Sequence, residues 1–174
     1  VKKYQLPQDS IAEKTVVALG DFDGVHKAHK KLLDKTVEIT KNKNLVSAVY
    51  IFDKSSKNTK RITPPAVKEK LIETQGVELL VIQKADENFF STSCEMFVEE
   101  VVKNKLNAKT VVVGKNYTFG KGGKGTSELL SNLCRKNNIE CIIIDDVIYE
   151  GEVISSTLIR KYIRSEEHTS ELQS

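Results

Sequence analysis

Five short runs of β-branched and aliphatic residues punctuate the chain: residues 15–20 (TVVALG), 45–52 (LVSAVYIF), 77–82 (VELLVI), 110–114 (TVVVG) and 139–145 (IECIIID). Most are apolar throughout rather than alternating, the pattern of strands buried on both faces of a parallel sheet. Between them lie amphipathic stretches of helical spacing. Leu32, Leu33, Val37 and Ile39 fall within 30–41, and Thr63-Pro64-Pro65 opens a segment that runs to Thr74 and ends at Gly76. Phe97, Val98, Val101 and Val102 follow Ser93, and Leu129, Leu130 and Leu133 follow Thr126. Thr63, Ser93 and Thr126 are read as helix caps, their hydroxyls accepting a free N–H of the first turn, and Asn137-Asn138 as a stop. Residues 1–14 show no clear period and predict at most a short edge strand. Strand and helix alternating in this order predict right-handed crossovers and one domain, a Rossmann-like doubly wound α/β sheet.

The most informative stretch follows the first strand: VVALGDFDGVHKAHKKLL, from Val16 to Leu33. An apolar run ends at Gly20, a short polar turn passes through Phe22, Asp23 and Gly24, and an amphipathic helix begins beside His26 and His29. Unpaired N–H groups at a helix start favour an anion such as phosphate. Histidines three residues apart fall on one face of the first helical turn, where both can reach one phosphoryl group. Gly20 and Gly24 are read as giving a nucleotide close access to the backbone. Taken alone, HxxH is better explained by incidental polar turn residues; its place behind an apolar strand reverses that reading.

Two later stretches bear on the same chemistry. Residues 115–125 (KNYTFGKGGKG) hold four glycines and three lysines and have almost no apolar anchor; they read equally well as a flexible loop covering a phosphate or nucleotide, though without P-loop spacing, and as a long surface hairpin. Ser155, Ser156 and Thr157 open a last helix with Arg160 one turn on, a guanidinium suited to forking onto phosphate oxygens. Phe89 and Phe90 are read as core. The polar loop 53–60 is read equally well as a solvated connector or a ligand-contacting loop.

Composition narrows the class. No apolar run nears the ~20 residues of a membrane span, no signal-peptide region is visible, and the expected location is cytoplasmic, without a membrane partner. The formal net charge of +3 is mild and its lysines are dispersed; with no RNA- or DNA-binding motif, no nucleic-acid partner is expected. Cys94, Cys134 and Cys141 lack CxxC spacing, so reduced thiols are expected rather than disulfides or zinc. Residues 164–174 (RSEEHTSELQS) break the apolar periodicity and resemble the translation of a sequencing-adapter oligonucleotide. They are set aside as non-native, leaving 1–163 as the domain.

GDFDGVHKAH resembles the HxGH nucleotidyltransferase superfamily and is most similar to its bacterial FAD synthetase branch, the N-terminal module of bifunctional riboflavin kinase/FMN adenylyltransferases. GKNYTFGKGGKGT and ISSTLIR resemble that family's remaining motifs in order and spacing. The resemblance implies a nucleotidyltransferase-type sheet and transfer of AMP from ATP to FMN, giving FAD and pyrophosphate with Mg²⁺. It implies catalytic roles for His26, His29 and Arg160. ATP would contact Gly20, Phe22, Asp23, Gly24, His26, His29, Ser155, Ser156, Thr157 and Arg160, with Asp23 orienting the turn rather than binding metal. Asn116, Tyr117 and Phe119 would help form the flavin or ATP pocket. It further implies a riboflavin kinase barrel following in the natural parent. The chain departs from the pattern at Ala28, where the family has glycine, at Leu158, where an inner arginine is common, and after the second strand, where a Pro/His-containing stretch is missing. Three alternatives stay open: another phosphate acceptor, a non-catalytic flavin- or nucleotide-binding module, and a structural or interaction domain with a decayed site.

Overall fold

The computed structural model describes residues 1–53 and 62–172, with side chains through residue 166. Most of the expected polar loop at 53–60 lies outside the described residues. Six strands, β1 (Lys2–Leu6), β2 (Thr15–Leu19), β3 (Val46–Asp53), β4 (Leu79–Lys84), β5 (Ala108–Gly114) and β6 (Glu140–Ile144), form one sheet in the order β1-β4-β3-β2-β5-β6. Every neighbouring pair is parallel. The five predicted strands are therefore present, and residues 1–14 supply the edge strand.

Burial follows from the order. All of β2 is buried, with Val16 and Ala18 in one hydrophobic cluster and Val17 and Leu19 in the other. Helix α1 (Lys27–Lys43) lies across β2, β3 and β5 and buries Leu32, Leu33 and Ile39. Full burial of a side chain such as Leu33 contributes about 1.5–3 kcal/mol. Helix α2 (Pro65–Thr74) contributes Ile72 to the same cluster, while α5 (Ser127–Lys136), after short helices α3 (Glu87–Ser91) and α4 (Cys94–Met96), contributes Leu130 and Leu133 to the other.

Four local expectations are corrected. Thr63 does not cap α2: the capping position is Pro64, without a side-chain bond, and the Thr63 hydroxyl instead accepts the Gly24 N–H at 2.9 Å. A tertiary partner has outbid the local one. Ser93 does cap a helix, but α4 passes at once into a π-helix over Phe97–Lys105. Its buried side chains are Phe97, Val98 and Val102, and buried Leu106 stands at its C-terminal cap. Phe89 is half-buried and Phe90 exposed, in contact with Phe52 and each other rather than in the core. The glycine-rich loop has a firm apolar anchor, because Phe119 is only 6% exposed and packs on Phe97. Thr126 caps α5 as expected, its hydroxyl accepting the Leu129 N–H.

After β6 the chain turns through a two-stranded hairpin, β7 (Ile148–Tyr149) and β8 (Glu152–Val153), into α6 (Ser156–Leu172). Residues 164–172, set aside on sequence, continue this helix. Among the described residues no helix is long and apolar enough to cross a membrane, and the three cysteines are free.

Candidate active site

The chain leaves β2 towards β3 on one side and later returns to β5 on the other. The crevice beyond the carboxyl ends of β2 and β5 is the topological switch point, where open α/β sheets bind ligands. The turn at 20–26 leaves β2 there, and the loop at 115–125 leaves β5 there.

The turn is tightly built. Phe22 and Val25 have φ of 52° and 37°, values side chains seldom adopt, yet are 0% and 4% exposed. Burial of both side chains offsets backbone strain on the order of 1–3 kcal/mol per residue. Gly24 has φ +83°, where a Cβ is disfavoured. At Gly20 the constraint is space: a Cβ would come within 2.9 Å of the Phe22 ring. Both glycines thus serve the turn's own packing, a role the sequence reading assigned to nucleotide access.

His26 occupies the capping position of α1 without a side-chain capping bond, and His29 lies in the first turn. Their rings stack with centroids 3.7 Å apart and planes 18° apart, while Phe22 packs on His29 at 5.0 Å. The Nδ1 atoms of both histidines are buried and have no hydrogen-bond partner among the described residues. A buried imidazole nitrogen without a partner is costly unless something else, such as a ligand, meets it. Burial, the neighbouring His26 and the Lys68 charge outweigh Asp23 and lower the His29 pKa to about 3. Burial lowers that of His26 as well, against the pull of Asp23. Both imidazoles are neutral at physiological pH.

This has a stability consequence. A histidine whose folded pKa is depressed takes up its proton first in the unfolded chain, so its contribution is complete above about pH 6.5 and is lost as pH falls towards 3. Lowering the pH from 7 to 5 should cost on the order of 2 kcal/mol through His29. Urea unfolding at both pH values, in the parent and in His29→Asn, checks this: the variant should lose distinctly less, and equal losses would refute the assignment.

Arg160 reaches the same turn from α6, but its Nη2 donates to Asp23 Oδ2 at 2.5 Å. Asp23 is 2% exposed. Burial alone would raise its pKa, but the Ile62 N–H, Arg160, the Thr63 N–H and Lys68 together lower it. Asp23 was expected among the ATP contacts; its carboxylate is instead turned onto protein donors. Ser156 donates to the Asp23 carbonyl at 2.8 Å, Ser155 accepts the Leu158 N–H as the cap of α6, and Thr157 is exposed. The residues of the first and last motifs are thus brought together.

The middle motif stands apart. Asn116 donates to Asp146, and Tyr117 stacks parallel to Phe119, whose backbone pairs with Gly125. Tyr117 and Phe119 belong to the hydrophobic cluster opposite that of Phe22 and Val25. Phe119 serves first as a core side chain.

Sequence reasoning missed Lys68 and Thr63. Lys68 donates to the Asp21 carbonyl at 2.9 Å, and both residues line a cavity of ≈ 340 Å³ with an apolar floor that includes Ile51, Ile72 and Ile82 and an edge formed by Asp23 and Arg160. No local signal marks Lys68, one of several lysines with helical surroundings. Among the described residues, no three His, Cys, Asp or Glu side chains are grouped to hold a metal ion.

A parallel doubly wound six-stranded sheet, with a stacked histidine pair beside its switch point, defines the class: an α/β protein of the nucleotidyltransferase-like fold. More particularly, the chain belongs to the FAD synthetase family, whose model matches residues 8–158. It is 33% identical over 159 residues to the bifunctional riboflavin kinase/FMN adenylyltransferase of Buchnera aphidicola subsp. Schizaphis graminum, covering 87% of this chain and 51% of that protein. It is 29% identical over 171 residues to the FAD synthetase of Listeria monocytogenes, covering 94% and 69%. A solved structure titled macrolide-efflux protein, from Streptococcus pneumoniae, superposes with a TM-score of 0.81 at 30% identity, covering 92% of this chain and 55% of that one. The chain spans about half the length of the bifunctional relatives.

Proposed function

We propose that the chain joins the AMP moiety of ATP to FMN, releasing FAD and pyrophosphate. The observation that carries this reading is the stacked pair His26 and His29 at the switch point, with both Nδ1 atoms buried and without a partner among the described residues, inside the stretch that matches the FAD synthetase family.

In this reaction an FMN phosphate oxygen attacks the α-phosphorus. One P–O bond forms, the bond to the β-phosphate bridging oxygen breaks, and pyrophosphate leaves with the electron pair. The nucleophile is already anionic and needs no general base. Catalysis then rests on positioning and on donors aimed at developing charge. Neutral His26 and His29 would each donate one N–H to the α-phosphoryl and bridging oxygens. The first N–H groups of α6, with Ser155, Ser156, Thr157 and Arg160, would hold the leaving pyrophosphate, and Gly20, Phe22 and Gly24 would frame the nucleotide. Magnesium would arrive on the triphosphate as part of the substrate. Asn116 and Tyr117 are proposed to contact the flavin, with Phe119 supporting the Tyr117 ring. Riboflavin kinase activity is not proposed for these residues.

The test is pyrophosphate release from MgATP with FMN as acceptor and chromatographic identification of FAD. FAD is expected with FMN and not when riboflavin replaces it. Pyrophosphate released only with a different phosphate acceptor would move the chain to another nucleotidyltransferase activity, and MgATP binding without release would make it a binding module.

A further inference from the structure

We propose that Asp23 is a positioning residue, which acts on the nucleotide through Arg160 by fixing the direction of its guanidinium. This rests on the functional reading above only in taking the nucleotide to be ATP. Two chain segments remote in sequence converge on this one residue. Its Oδ2 accepts Arg160 Nη2 at 2.5 Å, both carboxylate oxygens accept the Ile62 N–H at 3.1 Å, and Oδ1 accepts the Thr63 N–H at 3.1 Å. Its carbonyl accepts the Ser156 hydroxyl at 2.8 Å, and the next residue, Gly24, donates its N–H to Thr63. With a side chain 3% exposed, the carboxylate is saturated by protein donors and turned away from solvent.

A carboxylate so enclosed cannot also be a direct phosphate or metal contact without giving up these bonds. What it can do is orient. A guanidinium presents five donors in a rigid planar fork, so anchoring one nitrogen sets the aim of the whole plane. Arg160 lies one turn into α6, whose first N–H groups are held against the same loop by Ser156. Asp23 therefore ties three things into one unit: the turn bearing the histidines, the segment that opens α2 and the arginine of the last helix.

The inference is tested by a double-mutant cycle with Asp23→Asn and Arg160→Ala, reading MgATP affinity by calorimetry without acceptor and kcat and KM for each substrate. Arg160→Ala is expected to raise the ATP requirement and remove most turnover. Asp23→Asn keeps shape and one acceptor oxygen, and is expected to weaken MgATP binding about tenfold or more, the scale of one charge-assisted hydrogen bond, with KM for FMN within about twofold of the parent. The double variant should be no worse than Arg160→Ala alone. Additive losses, or a loss confined to kcat and thermal stability with ATP affinity unchanged, would overturn the proposal. Should Asp23→Asn fail to fold, Arg160→Lys decides: it keeps the charge and lacks the fork, so it should bind MgATP as poorly as Arg160→Ala, and parent-like binding would overturn the proposal. Because MgATP binding is read without acceptor, a parent that makes no FAD would sink the proposed reaction and leave the cycle interpretable.

Discussion

His29→Ala should slow FAD formation by about two to three orders of magnitude, the cost of removing one preorganised donor from a phosphoryl or acyl transfer site. The loss should fall mainly on kcat, because the imidazole is proposed to meet charge that develops as the α-phosphoryl group transfers, while ATP is held largely from α6. His26→Ala should give a comparable loss, and the double variant little more than either alone. The stacked rings, 3.7 Å between centroids, act as one unit, and residues that act as a unit are strongly non-additive. The fold should tolerate the change. His29 is an imidazole with a buried nitrogen that has no partner among the described residues, and removing it relieves that cost while giving up its contact with Phe22. Single-turnover pyrophosphate release, beside thermal unfolding, separates the two effects. FAD formation within about threefold of the parent would remove His29 from the mechanism.

Gly120→Ala should destabilise the protein by on the order of 2–4 kcal/mol. Two costs combine. Gly120 has φ +74°, and a Cβ there would stand 2.5 Å from Cys94 Sγ and 3.2 Å from the Cys94 backbone nitrogen. The side-chain clash has some give and the backbone contact has little, so the start of α4 must shift or the loop must lift. A lifted loop withdraws Phe119 from Phe97, and with it the support under Tyr117. Urea unfolding of Gly120→Ala alone and combined with Cys94→Ala checks the account. Shortening Cys94 should restore part of the loss, the steric share, and leave the share due to the positive φ and the backbone contact. A stability within about 0.5 kcal/mol of the parent would show that the loop accommodates a side chain freely.

Much of the fold is legible along the chain because its signals are local. TVVAL at β2 can hardly be anything but a strand buried on both faces, and α1 announces itself by its leucine spacing among lysines. Thr126 caps α5 as its position suggests. The histidine pair is legible for the same reason: residues three apart at one helix start lie together whatever the rest of the molecule does. The misreadings fall where the deciding partner is remote in sequence. Thr63 precedes two prolines and looks like a cap, yet its hydroxyl is claimed by Gly24, 39 residues earlier. The loop at 115–125 looks unanchored because nothing in its composition reveals that Phe119 meets Phe97 from another helix.

By itself, the sequence determined a parallel α/β sheet, the order of its elements, and a glycine-bounded turn that sets two histidines at a helix start. These follow from periodicity, propensity and short spacing, which operate within a few residues. The tertiary structure alone decided that Asp23 faces Arg160 across 137 positions, that Lys68 and Thr63 belong beside them, and that Tyr117 and Phe119 pack in the cluster opposite Phe22. The reason is physical: a buried carboxylate must find its donors, and a ring its cavity, wherever the packed chain brings them, and no local pattern encodes that meeting.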